Sequence, residues 1–161
     1  MPGSVTVRPA EPSELSLVLE FIRELAAYER LEHEVQATTA DLAVALFGPR
    51  PCAEVVFACL ESQPVGFALF FQNFSTFLGK PGIYLEDLFV RPAARGQGVG
   101  RQLLGWLART TLERGCARLE WAVLDWNLPS IGFYRSLGAV AQDEWTIMRV
   151  SGTALERLAR G

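Results

Sequence analysis

The sequence is poor in the residue types from which metal centres and histidine-dependent active sites are built. Its 161 residues include one histidine, His33, and three cysteines, Cys52, Cys59 and Cys116. A zinc site needs clustered cysteine and histidine ligands, and a serine triad needs a histidine with its partners. Because no ligand spacing or triad pattern surrounds these four residues, we expect no metal site, and we expect His33 to lie on the surface.

The chain also lacks a basic stripe, a long apolar run and a leader-like beginning. The formal net charge is −3, which argues against a nucleic-acid partner. No apolar stretch approaches the length of a membrane span, and the opening residues have neither a basic nor an apolar leader region. Three cysteines without ligand spacing favour reduced thiols. These features predict a cytoplasmic protein without nucleic acid or membrane as partner.

Enough hydrophobic sequence is present for one ordinary domain, expected to span residues 1–161. The expected elements are a strand 4–8, a helix from 12 or 13 to 28, a helix 38–47, strands 54–61 and 65–72, a loop 73–82, a central strand closed by Pro92, a helix 98–114, a strand 118–124, a helix 129–137, a strand 145–150 and a helix 154–160. This order predicts an α/β (α+β) fold in which helices flank a mixed central sheet.

The most informative stretch is the central strand and the glycine loop that follows it. The strand is apolar on both faces except for Glu86 and Asp87, and a charge in a buried strand is costly unless it is used or paired. The loop, residues 95–100, has glycine at 96, 98 and 100 and leads into a helix. Bare amides at a helix N-terminus form an anion site suited to phosphate.

Other glycine-rich loops match less well. A dinucleotide-binding loop requires a third glycine where Arg101 stands, and no Gly-Lys-Ser/Thr follows as it would in a P-loop. A strand-to-helix turn without a ligand is the plain alternative, and the glycines alone support it about as well. The residues around the loop favour the phosphate site.

A second stretch, residues 125–134, begins a short helix with Asn127 and reaches Tyr134 seven residues later. An asparagine before a proline-led helix is a good N-cap, which is a sufficient structural reason for Asn127. Tyr134 shares a helical face with Ile131 and Leu137, so a core aromatic is the alternative to a functional hydroxyl.

These motifs resemble the GCN5-related N-acetyltransferase superfamily, whose cofactor signature Arg/Gln-x-x-Gly-x-Gly/Ala is filled by Arg95, Gly98 and Gly100. The likeness covers nearly the whole chain and is closest to the thialysine-acetylating branch of the spermidine/spermine N-acetyltransferase group. It rests on the segments 28–29, 84–87, 95–100, 122–127 and 137–139, together with Ser75-Thr76. Two departures are the missing glycine at 143–145 and a different tail after residue 150.

The resemblance implies a sheet splayed at its middle strands, with acetyl-coenzyme A in the gap and a cofactor-binding core at about residues 83–138. Cofactor contacts are expected at Leu88, Phe89, Val90, Arg95, Gly96, Gln97, Gly98, Val99, Gly100, Arg101, Asn127, Pro129 and Ser130. Acceptor contacts are expected at Tyr28, Glu29, Glu86, Glu120, Trp121, Ala122 and Glu144, although only the first three rest on good motif matches. The family also implies a homodimer.

Acetyl transfer to an amine requires removal of an ammonium proton and protonation of the departing thiolate. Glu86 is the candidate base, acting directly or through one water, and Tyr134 is the candidate acid. If the strand is regular, Asp87 points to the opposite face and does not share the work of Glu86. None of the cysteines has an activating neighbour, so direct transfer is favoured over an acetyl-cysteine.

The expected acceptor is a small amine with more than one positive charge, of the thialysine, diamine or polyamine type. Acetylation of a protein lysine or N-terminus, and cofactor binding without turnover, remain alternatives. Which of Asp143 and Glu144 faces the acceptor stays open.

Overall fold

A computed structural model describes residues 3–161 of the chain. These residues form two units, one ending at Ala122 and the other spanning Val123–Gly161. The first unit contains β1 (Val5–Pro9), α1 (Leu15–Tyr28), α2 (Thr39–Phe47), β2 (Glu54–Leu60), β3 (Gln63–Ser75), β4 (Lys80–Val90), α3 (Val99–Glu113) and β5 (Leu119–Trp121). The second contains α4 (Leu128–Ser136) and α5 (Gly152–Arg160). Short 3₁₀ turns occupy Pro12–Glu14, Glu32–Glu34 and Pro92–Ala94.

The five strands form one sheet in the order β1-β2-β3-β4-β5. The first four are antiparallel neighbours, whereas β5 pairs in parallel with β4. A parallel neighbour requires a crossover connection, which α3 supplies. The mixed sheet flanked by helices confirms the predicted fold class.

An aromatic cluster packs α1 against one face of the sheet. Phe21 of α1 is fully buried, and its ring stacks on Phe67 at 5.3 Å and lies 5.7 Å from the ring of Phe57. On the opposite face, Phe70 meets Trp106 of α3 edge to face at 5.8 Å. The sheet is therefore covered on both faces where these rings pack, which explains the apolar residues on both faces of its central strands.

Arg91 ties the end of β4 to α1. Its guanidinium donates to the Glu24 carboxylate at 2.8 Å and also pairs with Glu20, while it lies 4.5 Å from the centre of the Phe21 ring. Charge-assisted bonds of this kind are stronger than neutral ones. They hold the C-terminal half of α1 beside the strand that carries Glu86 and Asp87.

One predicted boundary changes, and one that the sequence left open is decided. The loop expected at 73–82 is mostly strand, because β3 runs to Ser75 and β4 starts at Lys80. The Ser75 hydroxyl accepts a hydrogen bond from the Leu78 N–H at 3.2 Å and closes the turn between them. At the start of the first helix, the Glu11 N–H bonds the Glu14 carboxylate at 3.0 Å, so the helical region begins after Glu11 with Pro12 as its first residue.

The strand predicted at 145–150 was wrong. This segment has no regular structure, and Trp145, Ile147 and Met148 are exposed. An extended segment becomes a strand only by hydrogen bonding to a neighbour, and none of the described residues pairs with it. The strand predicted at 118–124 is also shorter, since the ladder covers Leu119–Trp121 only.

Within residues 3–161, no helix combines the length and the apolar character that a membrane crossing requires.

Candidate active site

Strand β5 pairs with only the first half of β4. Their ladder ends at the pair Leu85 and Trp121, so the rest of β4 has no β5 partner. The Arg91 N–H bonds the Val65 carbonyl of β3, and alternation along the strand then turns the Phe89 N–H toward β3 as well. The N–H groups of Leu88 and Val90 face the open edge. The amide of Phe89, which we expected at the cofactor, thus belongs to the β3 ladder, and its ring is buried in the core.

The glycine loop has the backbone that a phosphate cradle needs. Gly96 and Gly98 adopt φ of +77° and +79°, the left-handed region that favours glycine, and a Cβ built at either would meet no atom within 4 Å. The first N–H to bond inside α3 is that of Gln102, to Gly98 at 3.0 Å, and the earlier amides of a helix have no intrahelical partner. Open space beside unused amides at a helix N-terminus fits a pyrophosphate.

Arg95 connects this loop to α1. Its Nε donates to the Val90 carbonyl at 3.0 Å, and its guanidinium carbon lies 5.0 Å from the centre of the Tyr28 ring and 5.6 Å from that of Phe89. Cation–π contacts of this kind are attractive at such distances. The side chain of Arg95 therefore packs between the loop and the end of α1.

A β-bulge in β4 corrects the expectation about Asp87. Leu69 of β3 pairs with Asp87 while its neighbour Phe70 pairs with Leu85, so Glu86 is an extra residue without a partner. One extra residue in a ladder breaks the two-residue alternation of side chains. Asp87 and Glu86 consequently line the same cavity, not opposite faces of the sheet.

The cavity lies between the C-terminal half of α1, the segment that follows it, and the bulge of β4. Its volume is about 500 Å³. It is lined by Ile22, Leu25, Ala26, Glu29, Leu31, Glu34, Val35, Gln36, Ala37, Glu86 and Asp87. The lining combines an apolar floor with four carboxyl groups and contains no lysine or arginine, which suits an alkyl chain carrying positive charge.

The carboxyl groups differ in environment. Asp87 is half-buried, and burial, followed by the charges of Glu86 and Glu29, raises its pKa from 3.8 to about 7. Burial also raises the pKa of Glu29. The pKa of Tyr84 is raised by burial and then by the nearby charges of Glu86 and Glu120. Because these acidic groups share one cavity, their combined negative charge favours the binding of a cation there.

Within the first unit, the predicted acceptor residues are not all brought together. Tyr28, Glu29 and Glu86 gather at or beside the cavity. Glu120 lies on β5 beside Tyr84, where its carboxylate pairs with Arg118 at 2.9 Å. Trp121 is half-buried at the end of β5, and Ala122 is exposed after it. Glu144 is exposed in the second unit, in a turn with Asp143.

The second unit shows the predicted helix start. The Asn127 side chain is buried and accepts a hydrogen bond from the Ser130 N–H at 3.4 Å, as an N-cap does, and Pro129 occupies the first turn. Tyr134 lies in α4 with its ring 5.6 Å from that of Phe133. Capping accounts for Asn127 structurally, and its backbone also bonds on both sides, to the Leu124 carbonyl at 2.9 Å and from the Ile131 N–H at 3.1 Å.

The single histidine and the three cysteines do not form a site. His33 is exposed and lies 3.4 Å from Glu34, so its predicted surface position is confirmed. The three cysteines are free thiols, two of them buried. Across the described part of the chain, no cluster of three or more metal-ligating side chains occurs.

Sequence reasoning missed the apolar floor and Asp87. The floor residues Ile22 and Leu25 follow the helical periodicity of α1 and are indistinguishable from core in a sequence. For Asp87 a signal existed, because two adjacent carboxylates in an apolar strand conflict with strict alternation and suggest a bulge.

Comparison with known proteins agrees with this geometry. The Acetyltransferase (GNAT) family matches residues 17–139. A thialysine N-epsilon-acetyltransferase of Mus musculus is 36% identical, with 98% of each chain covered. An L-ornithine N5-acetyltransferase of Arabidopsis thaliana is 31% identical over 94% of this chain and 86% of the relative. The solved structure of an integron cassette protein from V. cholerae superimposes with a TM-score of 0.80 at 32% identity, covering 98% and 99% of the two chains. The chain therefore belongs to the GNAT family of acetyltransferases.

Proposed function

We propose that this acetyltransferase moves acetyl from acetyl-coenzyme A directly to a primary amine of a small acceptor with at least two cationic groups. The observation that carries the proposal is the carboxylate-lined cavity beside the open edge of β4 and the glycine loop. Relatives named for thialysine and for L-ornithine support it, since both molecules carry two amino groups on a short chain.

The residues that would hold the cofactor are the amides of the glycine loop, Gly96 to Arg101, at its pyrophosphate. When bound, acetyl-coenzyme A supplies a thioester, an acyl group activated for attack by an amine. The Leu88 and Val90 amides on the open edge are the candidate donors to the thioester carbonyl. One well-placed donor to a developing oxyanion lowers the barrier by roughly 3 kcal/mol.

The cavity explains preference for a dication. The apolar floor accepts a methylene chain, and Glu29, Glu34, Glu86 and Asp87 surround it with acidic groups. A monoamine neutralises less of this charge than a diamine of the same length, and like charges left close together are unfavourable. We therefore expect kcat/KM to be higher for diamino acceptors than for monoamines of equal chain length.

An amine panel tests the proposed activity. Purified protein is mixed with acetyl-coenzyme A and thialysine, ornithine, lysine, putrescine or spermidine, and free thiol is measured. A dication from this set should react, with n-butylamine as the matched monoamine for putrescine. If every small amine is silent while lysine peptides react, protein acetylation is the function; if coenzyme A binds without any thiol release, the chain is a binding module.

Replacing Tyr134 by phenylalanine should lower kcat about 10- to 100-fold with little change in the acceptor KM. A thiol with a pKa near 8.5 needs only mild acid assistance to leave, so the loss of the hydroxyl slows turnover without abolishing it. Steady-state kinetics at saturating acetyl-coenzyme A measure the effect. An unchanged kcat, or a change confined to the acceptor KM, would show that Tyr134 is not the acid.

Further parts of the proposal concern organisation. The family match extends across both units, which supports a single functional domain over residues 1–161. A homodimer is supported by exposed large apolar side chains at Val140, Trp145, Ile147 and Met148. Light scattering should then give twice the chain mass of 17.8 kDa, and a mass of one chain would contradict it.

Free thiols and a net charge of −3 support a cytoplasmic location without nucleic-acid or membrane partners.

A further inference from the structure

The bulge of β4 places two carboxyl groups with unequal exposure at the same cavity. Glu86 is the extra residue and is exposed, whereas Asp87 is half-buried against the cavity wall and pairs across the ladder with Leu69. Glu29, at the end of α1, lines the same cavity and is itself half-buried. An ammonium group entering this space meets an exposed carboxylate first and a shielded one beyond it.

We infer that Asp87 is a further catalytic residue, the group that receives the proton from the acceptor ammonium, while Glu86 and Glu29 hold the cation in place. This inference rests on the proposed function. In the step, the N–H bond of the ammonium breaks and an O–H bond forms on the Asp87 carboxylate, leaving a neutral amine and a neutral acid. The amine lone pair is then free to attack, and the proton later leaves Asp87 for solvent.

The environment of Asp87 suits this role better than that of an ordinary carboxylate. An alkylammonium has a pKa of about 10.4, roughly six units above that of a free glutamate. With its pKa raised to about 7, Asp87 lies only about three units below the ammonium, so the proton transfer is roughly 500-fold less unfavourable. A base with a pKa near the working pH is also the most effective one.

The groups that face Asp87 come from its own strand, from the end of α1, from the segment after α1 and from β3. Burial is the largest cause of its raised pKa, followed by the charges of Glu86 on its own strand and of Glu29, which follows the last residue of α1. Glu34 lines the cavity from the segment after α1, and β3 presents the apolar Leu69. The Arg95 guanidinium lies over the rings of Tyr28 and Phe89, and no cation among the described residues contributes to the shift of the Asp87 pKa.

The inference predicts a pH dependence. The ionised form of Asp87 is the active one, so kcat/KM should rise with pH through an apparent pKa near 7 and level off above it. Asp87→Asn should lower kcat about 100-fold and remove this rise of kcat/KM with pH, the acidic limb of the profile. Glu86→Gln and Glu29→Gln should retain the limb but move it to lower pH, because each removes a negative charge that raises the pKa of Asp87.

Two measurements are independent of turnover. Carboxyl ¹³C titration of the free protein should give Asp87 a midpoint near pH 7, shifted downward in Glu86→Gln. Because the folded pKa exceeds the unfolded value of 3.8, stability falls as pH rises from about 4 to about 7. Asp87→Asn should therefore raise the melting temperature at pH 8 by several degrees, whereas loss of a merely structural side chain would lower it.

Glu32→Gln is the matched control, since it makes the same carboxyl-to-amide change on an exposed residue near the cavity but outside its lining. It should leave rate and pH profile unchanged. The inference is overturned if Asp87→Asn keeps the acidic limb, or if Glu86→Gln removes it. Absence of acetyl transfer to any small amine by the unaltered protein would instead overturn the proposed function, while the carboxyl titration would still report on Asp87.

Discussion

A Gly98→Glu variant is expected to lose coenzyme A binding by at least about 100-fold, a cost of about 2.7 kcal/mol or more. Gly98 caps the N-terminus of α3 with φ of +79°, and the space beside it is open. A glutamate there puts a carboxylate where the amides should meet a pyrophosphate, so like charges and bulk both oppose binding. The expected fold is retained because a Cβ at this position meets no atom within 4 Å.

Gly115→Glu is the control for Gly98→Glu. Gly115 follows the C-terminal end of the same helix, also has positive φ, at +69°, and also has open space at its Cβ position. The backbone strain introduced is therefore similar, but the new charge lies far along α3 from the glycine loop. Calorimetric titration with coenzyme A should show normal affinity for Gly115→Glu. Equal losses in both variants, or normal binding by Gly98→Glu, would mean that the loop is not the phosphate site.

Phe21→Ala is expected to cost about 3–5 kcal/mol of folding stability, a large share of the roughly 5–15 kcal/mol of a typical domain. The Phe21 ring is fully buried between Phe57 and Phe67 and under the Arg91 guanidinium. Its removal leaves a cavity and weakens the packing of α1 on β2 and β3. Denaturant unfolding measures the loss, and the acceptor KM should rise because α1 carries Glu29 into the acceptor cavity.

Phe74→Ala makes the same truncation on an exposed ring of the β3–β4 hairpin, where the side chain is 62% exposed. Its effect on unfolding should stay within about 0.5 kcal/mol, as for most surface substitutions. If Phe21→Ala destabilises no more than Phe74→Ala, the aromatic cluster is not what holds α1 to the sheet.

The glycine loop could be predicted from sequence because its conformation is local. Glycine tolerates positive φ without a steric penalty, and Gly96 and Gly98 both adopt it. The same locality explains the success at Asn127, where residue type and the following proline define a helix start. In each case the determining contacts lie within a few residues along the chain.

Asp87 was misplaced because a bulge is a property of two strands. Residues 84–90 are compatible with regular alternation and with one extra residue, and only the pairing with β3 decides between them. The raised pKa of Asp87 depends further on Glu29, which is 58 positions earlier in the sequence and reaches β4 through the packing of α1. Long-range contacts of this kind leave no local pattern.

The strand prediction for residues 145–150 was wrong for a related reason. Its composition is typical of a strand, but a strand also needs an available edge, and sequence composition carries no information about edges.

The extra residue in β4 has a consequence for how this strand tolerates changes of length. Loss of the Glu86 codon would bring Leu85 and Asp87 together opposite Phe70 and Leu69, restoring an unbroken pleat while every other side chain keeps its face. Loss of the Leu88 codon would instead invert all the residues between it and Pro92, carrying the Phe89 ring out of the hydrophobic core. The bulge at Glu86 is thus a place where β4 can lose a single residue while its pairing with β3 is kept.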